Sequence, residues 1–183
     1  MSWGKHRGGP SRGYHHGNLK EALVQAAIDL IAQKGPAGFT FAEAARSAGV
    51  SPAAPYRHFR DRDDLLASIA QRGFEQFEAA LSAAWDDGRP DTQTAFERLG
   101  RAYLTFARNA PASYSAMFES GLPIERFPAL SLASERAFAV IRAAAERLAA
   151  MTPPGVTRPP AMMMALHIWS MSHGIASLFG RGD

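Results

Sequence analysis

The sequence predicts an all-α protein, with a small N-terminal helical unit and a larger C-terminal one. Three observations carry this. Apolar residues recur three and four positions apart through most of the chain, as one buried helix face requires. Gly, Pro and capping residues fall between those stretches, where helices start and stop. No segment alternates apolar and polar residues over a strand's length, and no internal repeat is present.

The elements follow in order. Residues 1–17 are rich in Gly, His and Arg without hydrophobic periodicity, and read as a flexible basic arm. Leu19, Leu23, Ala26, Ala27, Leu30 and Ile31 then define a first helix over 18–34, with Asn18 as N-cap and Gly35-Pro36 as its stop. Thr40-Phe41-Ala42-Glu43 has the form of a capping box, in which each end of the motif satisfies a backbone donor of the other; it opens a second helix over 41–48. Gly49 supplies a tight turn. Ser51 as N-cap and Pro52 at the first helical position start a third helix, which ends near His58 and carries Pro55 early in its course.

Asp61 caps a long helix, with Asp63 and Asp64 in its first turn favourable to the helix dipole. Its apolar face is Leu65, Leu66, Ile69, Ala70, Phe74, Phe77, Leu81 and Trp85, and it ends before Gly88-Arg89-Pro90. A fifth helix carries Phe96, Leu99, Tyr103 and Phe106 and breaks at 109–111. A short segment with Tyr114, Met117 and Phe118 leads to Gly121 and Pro123. Helices over 130–150 and 161–179 complete the chain, with Pro153-Pro154-Gly155 and Pro159-Pro160 in the loop between them.

Bulk properties narrow the function classes. With 183 residues there is room for a small domain and a medium one, and the boundaries expected are 18–64 and 65–183 after the arm. The absence of cysteine excludes disulfides and thiolate metal sites. The most apolar stretch, 161–171, is too short to cross a bilayer and contains His167. The first seventeen residues have no apolar core of a secretory signal, so a cytoplasmic protein is expected, with no membrane partner. Charge is segregated: residues 1–60 hold eight Lys or Arg against three Asp or Glu, a net +5, and the other 123 hold twelve against fourteen, a net −2. A basic head on a near-neutral body fits nucleic-acid contact by the head.

The stretch 39–66 is the most informative. Two short helices joined by a Gly turn, with a longer helix before them, describe a three-helix helix-turn-helix unit that offers its third helix to the DNA major groove. Gly38-Phe39-Thr40, Glu43-Ala44-Ala45, Ala48-Gly49-Val50-Ser51 and the run from Tyr56-Arg57-His58-Phe59-Arg60-Asp61 into Arg62-Asp63-Asp64-Leu65-Leu66 closely resemble the signature of tetracycline-repressor (TetR) type regulators. The match keeps order and spacing over about fifty residues. The resemblance implies a DNA-binding regulator, with an N-terminal domain that binds an operator as a homodimer and a C-terminal domain that holds a small-molecule pocket and the dimer interface. Trp169 and His173-Gly174 form a W-x-x-x-H-G pattern on the last helix, which looks like the C-terminal domain of one branch of the family; Tyr14-His15-His16-Gly17-Asn18-Leu19 resembles the same branch. The chain departs from the family at Ala53-Ala54-Pro55, where many relatives carry a Gly-Thr or similar pair. It also reaches Asp183 soon after the last matched helix, although the family pairs two C-terminal helices per subunit; either one helix is absent or the helix boundaries differ.

The resemblance assigns Tyr56 a hydroxyl-to-phosphate contact, with His58 and Arg62 in similar roles. Thr40 and Ser51 stand at helix starts, where backbone N–H groups attract phosphate. Arg57 is the candidate for base readout, since arginine bonds guanine bidentately, worth about 1–3 kcal/mol of discrimination. Ala53, Ala54 and Pro55 offer only apolar contacts, for example to thymine methyls. Lys5, Arg7 and Arg12 either follow a groove or belong to a free tail. In the C-terminal part, Phe96, Tyr103, Phe106, Tyr114, Met117, Phe118, Phe127, Met163, Met164, His167 and Trp169 form a pool from which an apolar effector pocket is expected, with plain core packing the alternative for each; His167 and His173 are possible polar anchors.

No cofactor is expected. His6, His15 and His16 lack the carboxylate spacing of a metal site. An all-α enzyme is disfavoured, for there is no phosphate-binding Gly loop, no H-E-x-x-H and no nucleophile elbow. An architectural DNA-binding protein without a ligand is the other reading; it predicts weak sequence preference and steep salt dependence.

Overall fold

The computed structural model describes residues 19–179, and among these there are seven α-helices and no strand. The arm, the Asn18 cap and the basic and histidine residues before it lie outside the described residues. α1 (Leu19–Lys34) buries Leu23, Val24, Ala26, Ala27 and Ile31 on one face. α2 (Phe41–Ser47) begins at the Thr40–Glu43 capping box and buries Ala44 and Ala45, whose small size lets it sit close on α1. Gly49, at φ +70°, turns the chain through the left-handed region, where a side chain is strained.

The next element differs from expectation. In place of an α-helix over 51–58 there is a four-residue 3-10 helix, Ala54–Arg57. Pro55 lacks the N–H that would donate to Ser51 O in an α-helix capped by Ser51, whereas Pro52 at the first helical position removes no bond. The backbone therefore tightens: Ala54 N–H donates to Ser51 O at 3.0 Å and His58 N–H to Pro55 O at 2.9 Å. Ser51 contributes its carbonyl to this turn, and the turn has no side-chain cap bond.

α3 (Arg62–Trp85) is the spine. Asp61 caps it, accepting from Asp64 N–H at 2.8 Å. Its 24 residues span about 36 Å at 1.5 Å per residue, so the expected domain boundary at 64/65 falls inside its first turn. α3 packs against α1 at one end and against α4 (Thr92–Asn109), α5 (Pro111–Phe118) and α6 (Pro128–Ala150) along its length. Burial of Leu65, Leu66, Ile69, Phe77 and Leu81, none more than 1 % exposed, contributes about 1.5–3 kcal/mol each. Phe77 meets Tyr103 of α4 edge-on, with ring centres 4.9 Å apart. α6 packs along α3 and buries Ala133, Ala137, Ala144 and Ala145, and Arg136 Nε donates to Glu78 on α3 at 3.0 Å.

α7 (Ala161–Phe179) has the bounds the periodicity predicts, but it is seated differently from the other long helices. It packs on α4 and α6 and fully buries only Ala165 and Ala176. Met171, Ile175 and Leu178, spaced by four and three, lie exposed on its outer side.

Candidate nucleic-acid interface and ligand cavity

The head presents its chemistry on the turn after Gly49. Ser51 and Ala53 are exposed and Ala54 is half-buried. Tyr56 is 64 % exposed, its ring held edge-on against Phe41 of α2 at 5.0 Å. Arg57 and His58 are exposed, and among the described residues neither side chain has an ion-pair or hydrogen-bond partner. The Tyr56, Arg57 and His58 side chains thus all stand open to solvent on this turn. Pro55 does not: it is less than 2 % exposed and packs beneath the turn. The apolar base contact expected of Pro55 is unavailable, because the 3-10 geometry turns its ring inward.

Two other expected phosphate ligands are engaged within the chain. Thr40 donates both its N–H and its hydroxyl to Glu43 Oε2, at 2.8 and 3.0 Å, while Glu43 N–H donates to Thr40 Oγ1 at 3.2 Å. Lys34 Nζ holds the other carboxylate oxygen at 2.8 Å. The lysine bond, then the two threonine bonds, draw the Glu43 carboxyl down to about 2, so a full negative charge stands where phosphate was expected. Arg62 works as a clamp. Its Nε donates to Phe39 O at 2.8 Å, its Nη2 to Pro36 O and its Nη1 to Asp63 at 3.1 Å, and the guanidinium lies 4.7 Å over the Phe39 ring. It fixes the α1–α2 loop to the start of α3.

The C-terminal residues sort into distinct places. Met117, Phe118 and Trp169 line a cavity of about 570 Å3 between α3, α5, α6, α7 and the 119–127 connection, together with Phe74, Leu122 and Phe138. Gly73 makes room for this wall, since a Cβ there would lie 2.7 Å from Met117 Sδ. The polar lining is Ser120, Ser134 and Glu135. Phe96 and Tyr103 border a separate hollow of about 290 Å3 under Ile168 and Ile175, and Phe106 borders a third beside Arg98 and Arg101. Met163 and His167 are exposed on α7, outside the large cavity's wall; Phe127 lines a polar groove with Lys20, Arg60 and Arg126.

Tyr114 is buried at the centre. Its hydroxyl lies 2.7 Å from His173 Nδ1, and the Tyr103 hydroxyl is 3.4 Å from the same atom. Burial raises both phenol pKa values above their ordinary range, so both stay neutral. Trp169 and His173, four apart, share one face of α7, and both rings contact Phe118, at 5.7 and 4.9 Å. Sequence reasoning placed Phe74 on a buried face but did not single out Phe138, Ser134 or Glu135; nothing in periodicity separates a cavity wall from a core wall.

A three-helix head with an exposed basic turn, continuous through one spine helix with a helical part that holds an apolar cavity, has the architecture of a helix-turn-helix regulator. Comparisons with known proteins give the family. Residues 23–69 match the bacterial regulatory proteins of the tetR family, and residues 96–183 match the tetracyclin repressor-like C-terminal domain. The chain belongs to the TetR family of transcriptional regulators. An HTH-type transcriptional regulator of Haemophilus influenzae is 30% identical over 73 residues, a stretch that covers 40% of this chain and 39% of that relative. A solved protein of unknown function from Rhodococcus sp. RHA1 is 30% identical, with a TM-score of 0.76 over 92% of this chain and 86% of that one. A bacterial regulatory protein in the tetR family from Rhodococcus RHA1 is 25% identical, with a TM-score of 0.71 over 88% and 84%. Among the described residues no helix is long and apolar enough to cross a membrane.

Proposed function

We propose that the protein is a ligand-responsive repressor that binds a palindromic operator as a homodimer in the cytoplasm. The observation that carries this reading is the continuity of α3. Arg62, in its first turn, clamps the DNA-binding head, and Phe74, twelve residues on, lines the large cavity. Those positions are about 18 Å apart on one rigid helix, so occupancy of the cavity tilts the head. In a dimer, recognition elements about one turn of DNA apart, roughly 34–36 Å, tolerate little change in tilt.

In this reading Tyr56 and His58 bind phosphate, Arg57 reads a base, Ser51, Ala53 and Ala54 approach the groove, and Thr40 and Arg62 act mainly by holding the head in shape. The outer face of α7, with Met171, Ile175 and Leu178, is the surface for the second subunit. The W-x-x-x-H-G pattern is assigned a structural role: Trp169 walls the cavity and His173 ties α7 to Tyr114.

The test is fluorescence-anisotropy binding to the DNA upstream of the gene, against scrambled competitor and at two salt concentrations. Tight binding that resists the competitor is expected, with Arg57→Ala weakening it by about 1–3 kcal/mol. Equal competition by scrambled DNA, with collapse in salt, would favour an architectural DNA-binding protein instead.

A further inference from the structure

We propose that the 570 Å3 cavity selects a neutral or cationic effector with an aromatic or bulky apolar body, and that Glu135 makes it reject carboxylates and phosphates. This inference rests on the ligand-responsive reading above, and gives its effector a chemical class.

The wall is apolar and rich in rings: Phe138 and Trp169 stand 5.4 Å apart, edge to face, with Phe118 beside Trp169. Such a wall favours a flat or bulky hydrophobic body, and a cation over a ring face gains further attraction. The three polar residues set the polarity of the ligand's other end. Ser120 and Ser134 offer hydroxyls; the Ser134 hydroxyl already donates to Ser131 O at 2.8 Å, so its lone pairs face outward as acceptors. Glu135 offers carboxylate acceptors at the rim, where Ser131 Oγ donates to it at 3.2 Å. No Lys, Arg or His lines the cavity among the described residues.

The cationic side chains on the adjoining segments are directed elsewhere. Arg136, next to Glu135 on α6, bonds Glu78 on α3. Arg126, at the end of the 119–127 connection, lines the separate groove beneath the head. An anionic headgroup entering the cavity would gain no cation and would meet the Glu135 carboxylate at the solvent-open rim, a like-charge approach worth about fivefold in affinity, or about 1 kcal/mol, at an exposed site. An ammonium, amidine or hydroxyl at the same point would find an acceptor.

The experiment is calorimetric titration of the full chain at neutral pH with three ligands sharing one body: 4-phenylbutylamine, 4-phenylbutanol and 4-phenylbutanoate. The amine is expected to bind most tightly and the carboxylate least, separated by about tenfold or more. Glu135→Gln is expected to cut amine affinity about fivefold, toward that of the alcohol, and to leave the alcohol unchanged. Glu135 is exposed, so this substitution leaves the core intact. Tightest binding by the carboxylate, an amine affinity that Glu135→Gln leaves unchanged, or no binding by any of the three overturns the proposal. Operator binding measured on the same preparation keeps the two readings apart. Protein that binds DNA but prefers the carboxylate sinks the ligand class and leaves the regulator. Protein that prefers the amine but never binds DNA sinks the regulator and leaves the ligand class.

Discussion

The two ends of the molecule are held by different physics. The centre of the head is closed: Leu23, Ala27, Ala44, Ala45, Leu65 and Leu66 have no exposed area, and Arg62 and the Thr40–Glu43 pair tie the loops to the helix ends. At the other end, α7 is nineteen residues long and fully buries two alanines. It leaves a cavity on one side and an exposed apolar row on the other. A DNA reader needs fixed geometry, because base contacts fail when side chains shift. A sensor needs an element that can settle in more than one position. The difference in packing is what the proposed regulator would need to combine the two.

The sharpest test of that difference is truncation of one leucine at each end. Leu65→Ala removes a side chain with no exposed surface, and is expected to lower unfolding free energy by about 2–5 kcal/mol. Leu178→Ala removes one that is 76 % exposed, and is expected to change monomer stability by no more than about 0.5 kcal/mol while weakening self-association. Denaturant melts and sedimentation at several protein concentrations measure both. Equal destabilisation by the two variants would mean that α7 is as firmly seated as the head.

The next effect in size is at the point where α7 is tethered. Tyr114→Phe deletes the hydroxyl 2.7 Å from His173 Nδ1 and leaves a half-buried ring nitrogen without it, which is expected to cost about 1–2 kcal/mol. Tyr103→Phe deletes a contact of 3.4 Å, at the edge of hydrogen bonding, and is expected to cost less than about 1 kcal/mol. If the two melts reversed that order, the tether would run through α4 instead of α5.

Gly174 sharpens the comparison from the other direction. A Cβ added there meets nothing within 4 Å in this chain, so the glycine serves no internal close approach. Within a helix, Gly174→Ala is expected to stabilise the monomer by about 0.5–1 kcal/mol. If a partner helix crosses at that point, the same methyl loosens the dimer. A variant with a higher melting temperature and unchanged self-association would place the subunit contact away from Gly174.

How much of this was legible in the sequence follows the same division. The capping box at Thr40, the Asp61 cap, the Gly49 turn and the bounds of α7 rest on chemistry within four residues, and each is found where local rules put it. The third helix is where local rules fall short: Pro52 is harmless at a helix start, but Pro55 lacks the donor for the first i→i−4 bond, and the segment closes as a 3-10 turn. The site residues depend on which way a side chain faces once distant segments meet. Pro55 points inward, Arg62 reaches back to residues 36 and 39, and Met163 and His167 fall on the open side of α7. Phe138 and Glu135 become cavity residues only because α6 runs past a connection whose path no periodicity describes.

The smallest expected effect is at the head's own surface, and its sign is set by Glu43. That carboxyl titrates at about 2 in the folded chain against an ordinary 4.5, chiefly because Lys34 bonds it, with Thr40 adding two more bonds. A depressed folded value means that the unfolded chain takes up the proton first. The contribution to stability is therefore full above about pH 4.5, and is lost as pH falls from there toward about 2. Because the Lys34–Glu43 pair lies at the surface, with Lys34 exposed and Glu43 half-buried, water and salt screen it, and the loss is expected to be slight and to shrink as salt is raised. Glu43→Gln should flatten the stability curve in that window relative to the parent chain. A curve that keeps its slope in the glutamine variant would assign the acid sensitivity to other depressed carboxyls, of which Asp64 beside Arg60 and Glu21 beside Arg72 are the nearest in the head. The acid sensitivity of the head would then lie in the pairs at the start of α3 and between α1 and α3 more than in the cap of α2.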